Sequence, residues 1–270
     1  MTFGGMSPNA TDSCYLWHEE IAGRNGSEVA SAILAFISAQ PPYVRHIRIW
    51  ADNCAPQNKN WLLYSALITL VSSSKGPDSL TLRYLERGHT FMKPDSIHGA
   101  IGRKLRGEKE VLDFSALSAV ISKSARGLQI RELSPSDFLQ LVAFKRPALA
   151  RFPKLRLVKE VHFEKRSNFL FYKFNLDAQS YFKRPFGQQP IPPFPPSRSQ
   201  HRGVASAKKA EICKTLVPLM SEEKRAFWEN LHVAPVEDLC SAIGTWPPWL
   251  IHYRYLTQIF LKPLKLHHAW

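Results

Sequence analysis

The chain has 270 residues, of which 44% are hydrophobic, so it can bury one large core or two ordinary ones. Lysine and arginine outnumber aspartate and glutamate by 36 to 22, and the resulting net charge of +14 favours a polyanionic partner such as nucleic acid. The four cysteines form no C-x-x-C pair, which excludes a zinc finger of standard spacing and makes a disulfide framework unexpected.

Targeting and membrane signals are not found in the sequence. The amino terminus lacks a basic stretch followed by an apolar core, so no secretory signal is expected. The apolar stretch from Trp246 to Leu261 is interrupted by prolines, a histidine and an arginine, and a membrane span is not expected either. We therefore predict an intracellular protein, and the basic charge favours the nucleus.

The first elements are predicted from capping residues and hydrophobic spacing. Residues 1–11 are expected to form a disordered leader, and residues 14–20 a brief edge strand. Asn25 and Glu28 have the spacing of a capping box, and apolar residues at helical spacing then predict a helix from about Gly26 to Ala39.

The next segment alternates between strands and helices. Residues 46–51 alternate at the period of a strand, and residues 61–71 are apolar almost all round, which is typical of a buried helix. A second strand over residues 80–85 is followed by a helix that buries Ile97 and Ile101. The order helix, strand, helix, strand, helix predicts a mixed α/β fold with a sheet layered by helices over residues 12–150.

Two more helices are predicted before residue 151. Asp113 is expected to cap one of them. Pro135 is expected at the first position of the other, which would bury Phe138 and Leu141.

Residues 151–184 are predicted to form a basic, aromatic β-hairpin that turns at Glu164–Asn168. Residues 151–210 carry 13 lysines and arginines against 3 acidic residues, a net charge of +10. Aromatic residues interleaved with positive charge are typical of single-strand nucleic-acid binding by stacking and phosphate contact. The alternative is a hairpin with core-facing aromatics and solvated lysines. The residues predicted to contact DNA, or RNA, are Lys59, Lys165, Arg166, Lys183 and Arg184.

The remainder of the chain is predicted in three parts. Six prolines between Pro185 and Pro196 predict an extended, poorly ordered linker over residues 185–205. Residues 206–233 contain two helical patterns, the second capped by Ser221. Residues 234–270 show no coherent period.

Two aspartates follow the two predicted strands. Asp52 stands at the end of the first strand, and Asp95 follows the second strand near the start of a helix. Acidic residues on neighbouring strand ends are typical of a metal site. The alternatives are that Asp52 closes a turn, that Asp95 caps a helix and that His98 is structural.

Three groups of residues carry a resemblance to a known family. They are Trp17-His18-Glu19, the motif DNC-x-x-QNKN over residues 52–60, and the motif GHT-x-x-x-x-D over residues 88–95. In this order they make residues 12–175 resemble a eukaryotic transposase-derived domain of unknown function, which is similar to an RNase H-like integrase core.

The resemblance implies a fold in which carboxylates bind Mg²⁺ or Mn²⁺ for DNA strand transfer or cleavage. It assigns catalysis and metal binding to Asp52 and Asp95, and His98 is a further candidate for the metal shell. Two departures predict a degenerate site: the family's first strands, with their acidic residue, would lie upstream of Met1, and Gly102 stands where the family usually has glutamate. The resulting hypotheses are a metal-dependent DNA strand-transfer enzyme, a non-catalytic nucleic-acid binder, and a truncated copy without a maintained role.

Overall fold

The computed structural model describes residues 1–5, 11–53, 58–86, 92–141, 153–185, 191 and 193–235. The chain divides into two compact units, and each is described here on its own. The first unit comes from Met1–Gly23, Phe91–Pro135 and Ser199–Trp270, and the second from Arg24–Thr90 and Ser136–Arg198. The tail from residue 236 and the GHT motif at residues 88–90 lie outside the described residues.

The strands are β1 (Thr2–Phe3), β2 (Ser13–Leu16), β3 (His46–Ala51), β4 (Ser79–Tyr84), β5 (Gln129–Glu132), β6 (Glu160–Glu164), β7 (Phe169–Lys173) and β8 (Phe182–Pro185). The helices are α1 (Gly26–Ser38), α2 (Trp61–Ser72), α3 (Lys93–Gly107), α4 (Phe114–Ser122), α5 (Ser206–Thr215) and α6 (Glu222–Glu229). These elements confirm the predicted mixed α/β fold, but they form two sheets rather than one.

The first unit contains a three-stranded sheet in the order β1-β2-β5. β1 pairs antiparallel with β2, and β2 pairs parallel with β5, so β2 is the middle strand and not an edge strand. The prediction of a disordered leader is wrong for Thr2–Phe3, because their backbone pairs with Ser13–Cys14 and the Phe3 ring packs on Tyr15, with 5.3 Å between ring centroids.

Two apolar clusters support the helices of the first unit. Ile97 and Ile101 of α3 are buried with Leu117 and Ile121 of α4 against β2, as the helical spacing predicts. Helices α5 and α6 form a second cluster that includes Ile212, Trp228 and Leu231. The indole Nε1 of Trp228 donates a hydrogen bond of 2.7 Å to the carbonyl of Leu112, which satisfies its only polar atom.

The second unit contains a five-stranded sheet in the order β3-β4-β6-β7-β8. β3 and β4 are parallel neighbours joined through α2, as the sequence predicts, and the remaining pairs are antiparallel. Helix α2 is apolar all round because it lies between α1 and the sheet, where Leu63, Leu67 and Val71 are fully buried. The predicted capping box at Asn25 and Glu28 starts α1.

The predicted hairpin is β6 and β7, and β8 adds a third strand that the sequence did not indicate. Arg166 adopts a positive φ of 63° in the turn between β6 and β7. Because directly paired residues of an antiparallel sheet lie on the same face, the register of these strands decides which charged side chains share a surface.

The helix predicted at Pro135 is wrong, since only a short 3-10 turn forms over Pro135–Asp137. After this turn the backbone pairs with the end of the proline-rich segment: Arg198 N donates to the carbonyl of Phe138, and Gln140 N donates to that of Pro196. Arg198 also bonds the buried carboxylate of Glu28 at 2.9 Å. The end of the predicted linker is therefore extended, but it is docked on the second unit.

No helix among the described residues combines the length and the hydropathy that crossing a bilayer requires.

Candidate functional sites

The DNC-x-x-QNKN motif forms an internal hydrogen-bond network in its described part. Asp52 and Asn53 directly follow β3; the Asn58 amide donates to the Asp52 carboxylate, and Lys59 Nζ donates to Asn53 Oδ1 at 2.7 Å. The Tyr84 hydroxyl donates to the carbonyl of Asn58 at 2.7 Å. The network joins the end of β3 to the start of α2. This arrangement matches the alternative in which Asp52 closes the turn between the strand and the helix.

Lys59 is a poor candidate for a phosphate contact. Lys59 is only 2% exposed, and its Nζ lies 4.5 Å from the centroid of the Tyr84 ring. A lysine that contacts a phosphate must present its ammonium group to the solvent. We therefore leave Lys59 out of the nucleic-acid interface.

Asp95 and His98 also have local partners. Asp95 is the third residue of α3, and its Oδ2 accepts a hydrogen bond of 2.7 Å from the backbone N–H of Met92. Its position matches the helix-capping alternative, although the N-cap residue itself is Met92. His98 Nε2 lies 2.8 Å from Thr2 Oγ1 in a hydrogen bond.

The structure places Asp52 in the second unit and Asp95 in the first. Among the described residues, the group of metal-binding side chains with converging ligand atoms lies elsewhere and contains neither aspartate. The Mg²⁺ or Mn²⁺ site at Asp52, Asp95 and His98 thus stays a prediction.

One face of the five-stranded sheet carries a row of polar, basic and aromatic side chains. Cross-strand register aligns Arg48, Thr81, His162, Phe171 and Lys183, one from each strand. Thr81 Oγ1 bonds His162 Nδ1 at 2.8 Å, and the rings of His162 and Phe171 are 6.1 Å apart, so these side chains share the face. We call this surface the open face, since α2 packs on the opposite side through Tyr64, whose ring lies 6.0 Å from Phe163.

A second row on the open face is organised by a buried carboxylate. Register aligns Trp50, Arg83, Glu160 and Lys173, and both Arg83 Nε and the Tyr181 hydroxyl donate to Glu160. Burial alone would raise the pKa of Glu160, but these hydrogen bonds outweigh it and hold the pKa below its ordinary value. Burial, and then the bond to Glu160, raises the pKa of Tyr181 to about 12.

Aromatic rings cover the β6 and β7 end of the open face. The Tyr181 ring lies 5.5 Å from that of His162 and 6.4 Å from that of Phe171, and Lys173 Nζ is 4.4 Å from its centroid. Lys183 Nζ lies 5.6 Å from the centroid of Phe169. Rings and cations at these separations stabilise each other and hold the ring positions.

The predicted basic residues occupy different surfaces. Lys183 is exposed on the open face, whereas Arg184 is exposed on the opposite face because side chains alternate along a strand. Arg166 is exposed at the β6–β7 turn, and Lys165 Nζ bonds the carbonyl of Gly76 at 2.9 Å, which fixes that turn. Of the four hairpin residues, only Lys183 thus lies on the open face.

A separate cluster in the first unit surrounds the buried carboxylate of Glu20. His201 Nδ1 lies 2.8 Å from Glu20 Oε1, and His232 Nδ1 bonds the same oxygen. The two imidazole rings are stacked, with centroids 4.2 Å apart. The three candidate ligand atoms all lie within 4.8 Å of one another.

His18 faces the other oxygen of the same carboxylate. Its Nδ1 is 3.8 Å from Glu20 Oε2, is buried, and has no hydrogen-bond partner among the described residues. The ring packs edge-on against Phe114 and Phe227, at 4.9 Å and 5.4 Å. Burial lowers the pKa of His18 more than the nearby Glu20 raises it.

The backbone holds these segments together independently of the side chains. Gly203 N donates to the carbonyl of Glu20 at 2.9 Å, and Val204 N donates to that of His232 at 2.8 Å. Gly203 has a φ of +78°, and a Cβ there would lie 2.5 Å from the backbone nitrogen of Ala234. Only glycine permits this approach, so Gly203 is required for the arrangement.

The histidine cluster has no signal in the sequence. Glu20 and His201 are 181 positions apart, and His201 and His232 are 31 positions apart. These separations match no sequence motif of metal ligands. Trp17-His18-Glu19 contributes to the family resemblance and to a predicted edge strand, and His201 lies within the segment predicted to be a poorly ordered linker.

The chain is therefore a mixed α/β protein with two sheets, a basic open sheet face and a buried glutamate surrounded by histidines. A family model described as a domain of unknown function, DUF7869, matches residues 8–179, and the chain belongs to this family. No curated protein and no solved structure matches the chain. The match covers the second unit except for residues 180–198, and it also covers part of the first unit.

Proposed function

We propose that this protein binds single-stranded nucleic acid on the open face of its five-stranded sheet. The observation that carries the proposal is the row formed by Arg48, His162, Phe171 and Lys183, which places rings between two exposed cations. Aromatic rings on a sheet stack on unpaired bases, and flanking cations contact the phosphates.

The dimensions of the face suit a short single strand. Neighbouring strands lie about 4.8 Å apart, so a row across five strands spans roughly 19 Å. Four-stranded sheets that bind RNA through surface aromatics stack two or three bases. His162, Phe171 and Tyr181 supply three rings within that distance.

The charge of the surface also favours a polyanion. Arg48 and Lys183 are exposed at the two sides of the row, and the negative charge of Glu160 is offset by Arg83 and Lys173. The one further carboxylate of β6 on this face, Glu164, lies 3.2 Å from His162 Nε2. The alternative is that the hairpin aromatics face only a core. It describes Phe163 and Tyr172, which are buried, but not Phe171, which is partly exposed.

The resemblance to a transposase-derived domain is consistent with this proposal, because such a domain handles DNA. Strand-transfer or nuclease chemistry at Asp52 and Asp95 is the alternative function, and both forms would have a DNA partner and a nuclear location. A non-catalytic copy that retains binding through the open face is the form that the local partners of Asp52 and Asp95 favour.

The test is fluorescence anisotropy with labelled oligo(dT), oligo(U) and a DNA duplex, using the full chain. Phe171→Leu keeps an apolar side chain but removes the ring, and we expect weaker binding by about 1–3 kcal/mol, about 5- to 150-fold in Kd. Phe182→Leu is the matched control, since Phe182 is an exposed aromatic residue of the neighbouring strand on the opposite face.

Tight binding of the single strands that Phe171→Leu weakens and Phe182→Leu leaves unchanged supports the proposal. Equal effects of both variants, or a preference for the duplex over both single strands, would overturn it. Circular dichroism of each variant verifies that the sheet is intact.

A further inference from the structure

We propose that Glu20, His201 and His232 form a binding site for a divalent transition-metal ion, with Zn²⁺ as the ion that these ligands suit best. The site lies entirely within the first unit and is independent of the open face. It also differs in ligand chemistry from the Mg²⁺ or Mn²⁺ site expected at Asp52 and Asp95.

The set of side chains selects the class of ion. Two imidazoles and one carboxylate are ligands for Zn²⁺, Fe²⁺ and related ions, whereas Mg²⁺ and Ca²⁺ prefer oxygen atoms only. Zn²⁺ binds histidine nitrogen at about 2.0–2.1 Å and carboxylate oxygen at about 2.0–2.2 Å, which places neighbouring tetrahedral ligand atoms roughly 3.4 Å apart. The ligand atoms of the cluster already lie within 4.8 Å of one another, so small side-chain rotations suffice.

The protein holds the three ligands in place before any ion binds. Glu20 is buried, with 6% of its surface exposed. Its backbone carbonyl accepts a hydrogen bond from Gly203 N, and the backbone carbonyl of His232 accepts one from Val204 N. These backbone bonds bring together three segments that are far apart in the sequence. A site of this kind loses little conformational entropy when it binds an ion.

The same geometry leaves access for the ion and a further ligand. The side chains of His201 and His232 are 37% and 62% exposed, so the solvent reaches the cluster from their side. Three protein ligands with an accessible fourth position are typical of zinc sites that hold a water molecule. On the buried side, His18 Nδ1 lies 3.8 Å from Glu20 Oε2.

The alternative is that Glu20, His201 and His232 only stabilise the fold through hydrogen bonds and bind no metal. In that account each imidazole keeps a proton on Nδ1 and donates it to Glu20 Oε1. Metal binding through the Nδ1 atoms instead requires each imidazole to carry its proton on Nε2. The two accounts therefore differ in a direct binding measurement.

The experiment is isothermal titration calorimetry of the chelator-treated full chain with ZnCl2, in the presence and absence of excess MgCl2. We expect one Zn²⁺ per chain with micromolar or tighter affinity, unaffected by Mg²⁺. Loss of groups that only orient a metal ligand costs 10- to 100-fold in affinity, so Glu20→Gln and His201→Gln should each weaken binding by at least about 100-fold. His46→Gln is the control, since His46 is an exposed histidine of the second unit.

Thermal unfolding gives a second measurement that does not depend on titration heats. Saturating Zn²⁺ should raise the Tm of the unmodified chain and of His46→Gln, and not that of His201→Gln. Absence of Zn²⁺ binding in the unmodified chain would overturn the proposal. Unchanged Zn²⁺ affinity in folded Glu20→Gln and His201→Gln, or an equal loss in His46→Gln, would do so as well.

Discussion

Phe171 of β7 and Lys183 of β8 lie directly opposite each other in the antiparallel sheet, so both side chains belong to the open face. Arg184, the next residue, pairs with Leu170 and lies on the other face. Lys183 and Arg184 are adjacent in the sequence but lie on opposite faces of the sheet. Variants at these two positions can therefore distinguish binding at the open face from a general attraction of nucleic acid to a basic protein.

We expect Lys183→Ala to reduce the salt dependence of oligo(dT) binding, and Arg184→Ala to leave it nearly unchanged. Each phosphate neutralised on a single strand contributes a slope of about −0.7 in log K against log salt concentration. Anisotropy titrations over a series of NaCl concentrations measure the slope. If both variants reduce it equally, the hairpin attracts nucleic acid through its overall charge and the open face has no special role.

The buried carboxylate of Glu160 should make the second unit sensitive to acid. Its pKa in the folded state is lower than its ordinary value of 4.5, so its charged form stabilises the fold above pH 4.5. This stabilisation is lost as the pH falls below 4.5 through the folded-state pKa.

Glu160→Gln should therefore flatten the dependence of unfolding free energy on pH below 4.5. At neutral pH it should cost about 1.5–3 kcal/mol, because the bonds from Arg83 and Tyr181 lose their charged acceptor. Urea unfolding at several pH values measures both effects. Glu164→Gln, a half-exposed residue of the same strand, is the control and should change little.

Two glycines should respond to alanine in opposite directions. Gly102 lies inside α3, and a Cβ there would meet its nearest atom, Arg106 Nη1, at 3.6 Å, so Gly102→Ala should stabilise the chain by about 0.5–1 kcal/mol. Gly203→Ala should destabilise it by about 1–3 kcal/mol, because φ is +78° and Ala234 N is too close. Urea unfolding compares the two variants, and a gain for Gly203→Ala would refute the close backbone approach.

The chain as it stands should cut DNA weakly at best. Two-metal chemistry requires carboxylates around both ions, and Asp52 and Asp95 each bond a nearby amide instead. Cleavage of labelled DNA in MgCl2 or MnCl2 is measured for the chain, for Asp52→Asn and for Asp177→Asn, an exposed control. Efficient cutting that Asp52→Asn abolishes and Asp177→Asn preserves would show that the site is functional after all.

Local sequence signals predicted most elements because those elements depend on short-range effects. The capping box at Asn25, the cap at Asp113 and the apolar spacing in α1 and α3 specify helix starts and buried faces within a few residues. The prediction of a helix at Pro135 was wrong because a long-range contact decides the structure there. Residues 138–140 pair with residues 196–198, which are distant in the sequence.

The sequence by itself determined the α/β class, the concentration of positive charge in residues 151–210 and the turn between β6 and β7. Only the tertiary structure decided which of those charges share a surface, because strand register places Lys183 with Phe171 and separates it from Arg184. It also decided that Glu20 meets His201 and His232, through backbone bonds that Gly203 permits. Such contacts depend on chain folding over long separations, and no local pattern of residues encodes them.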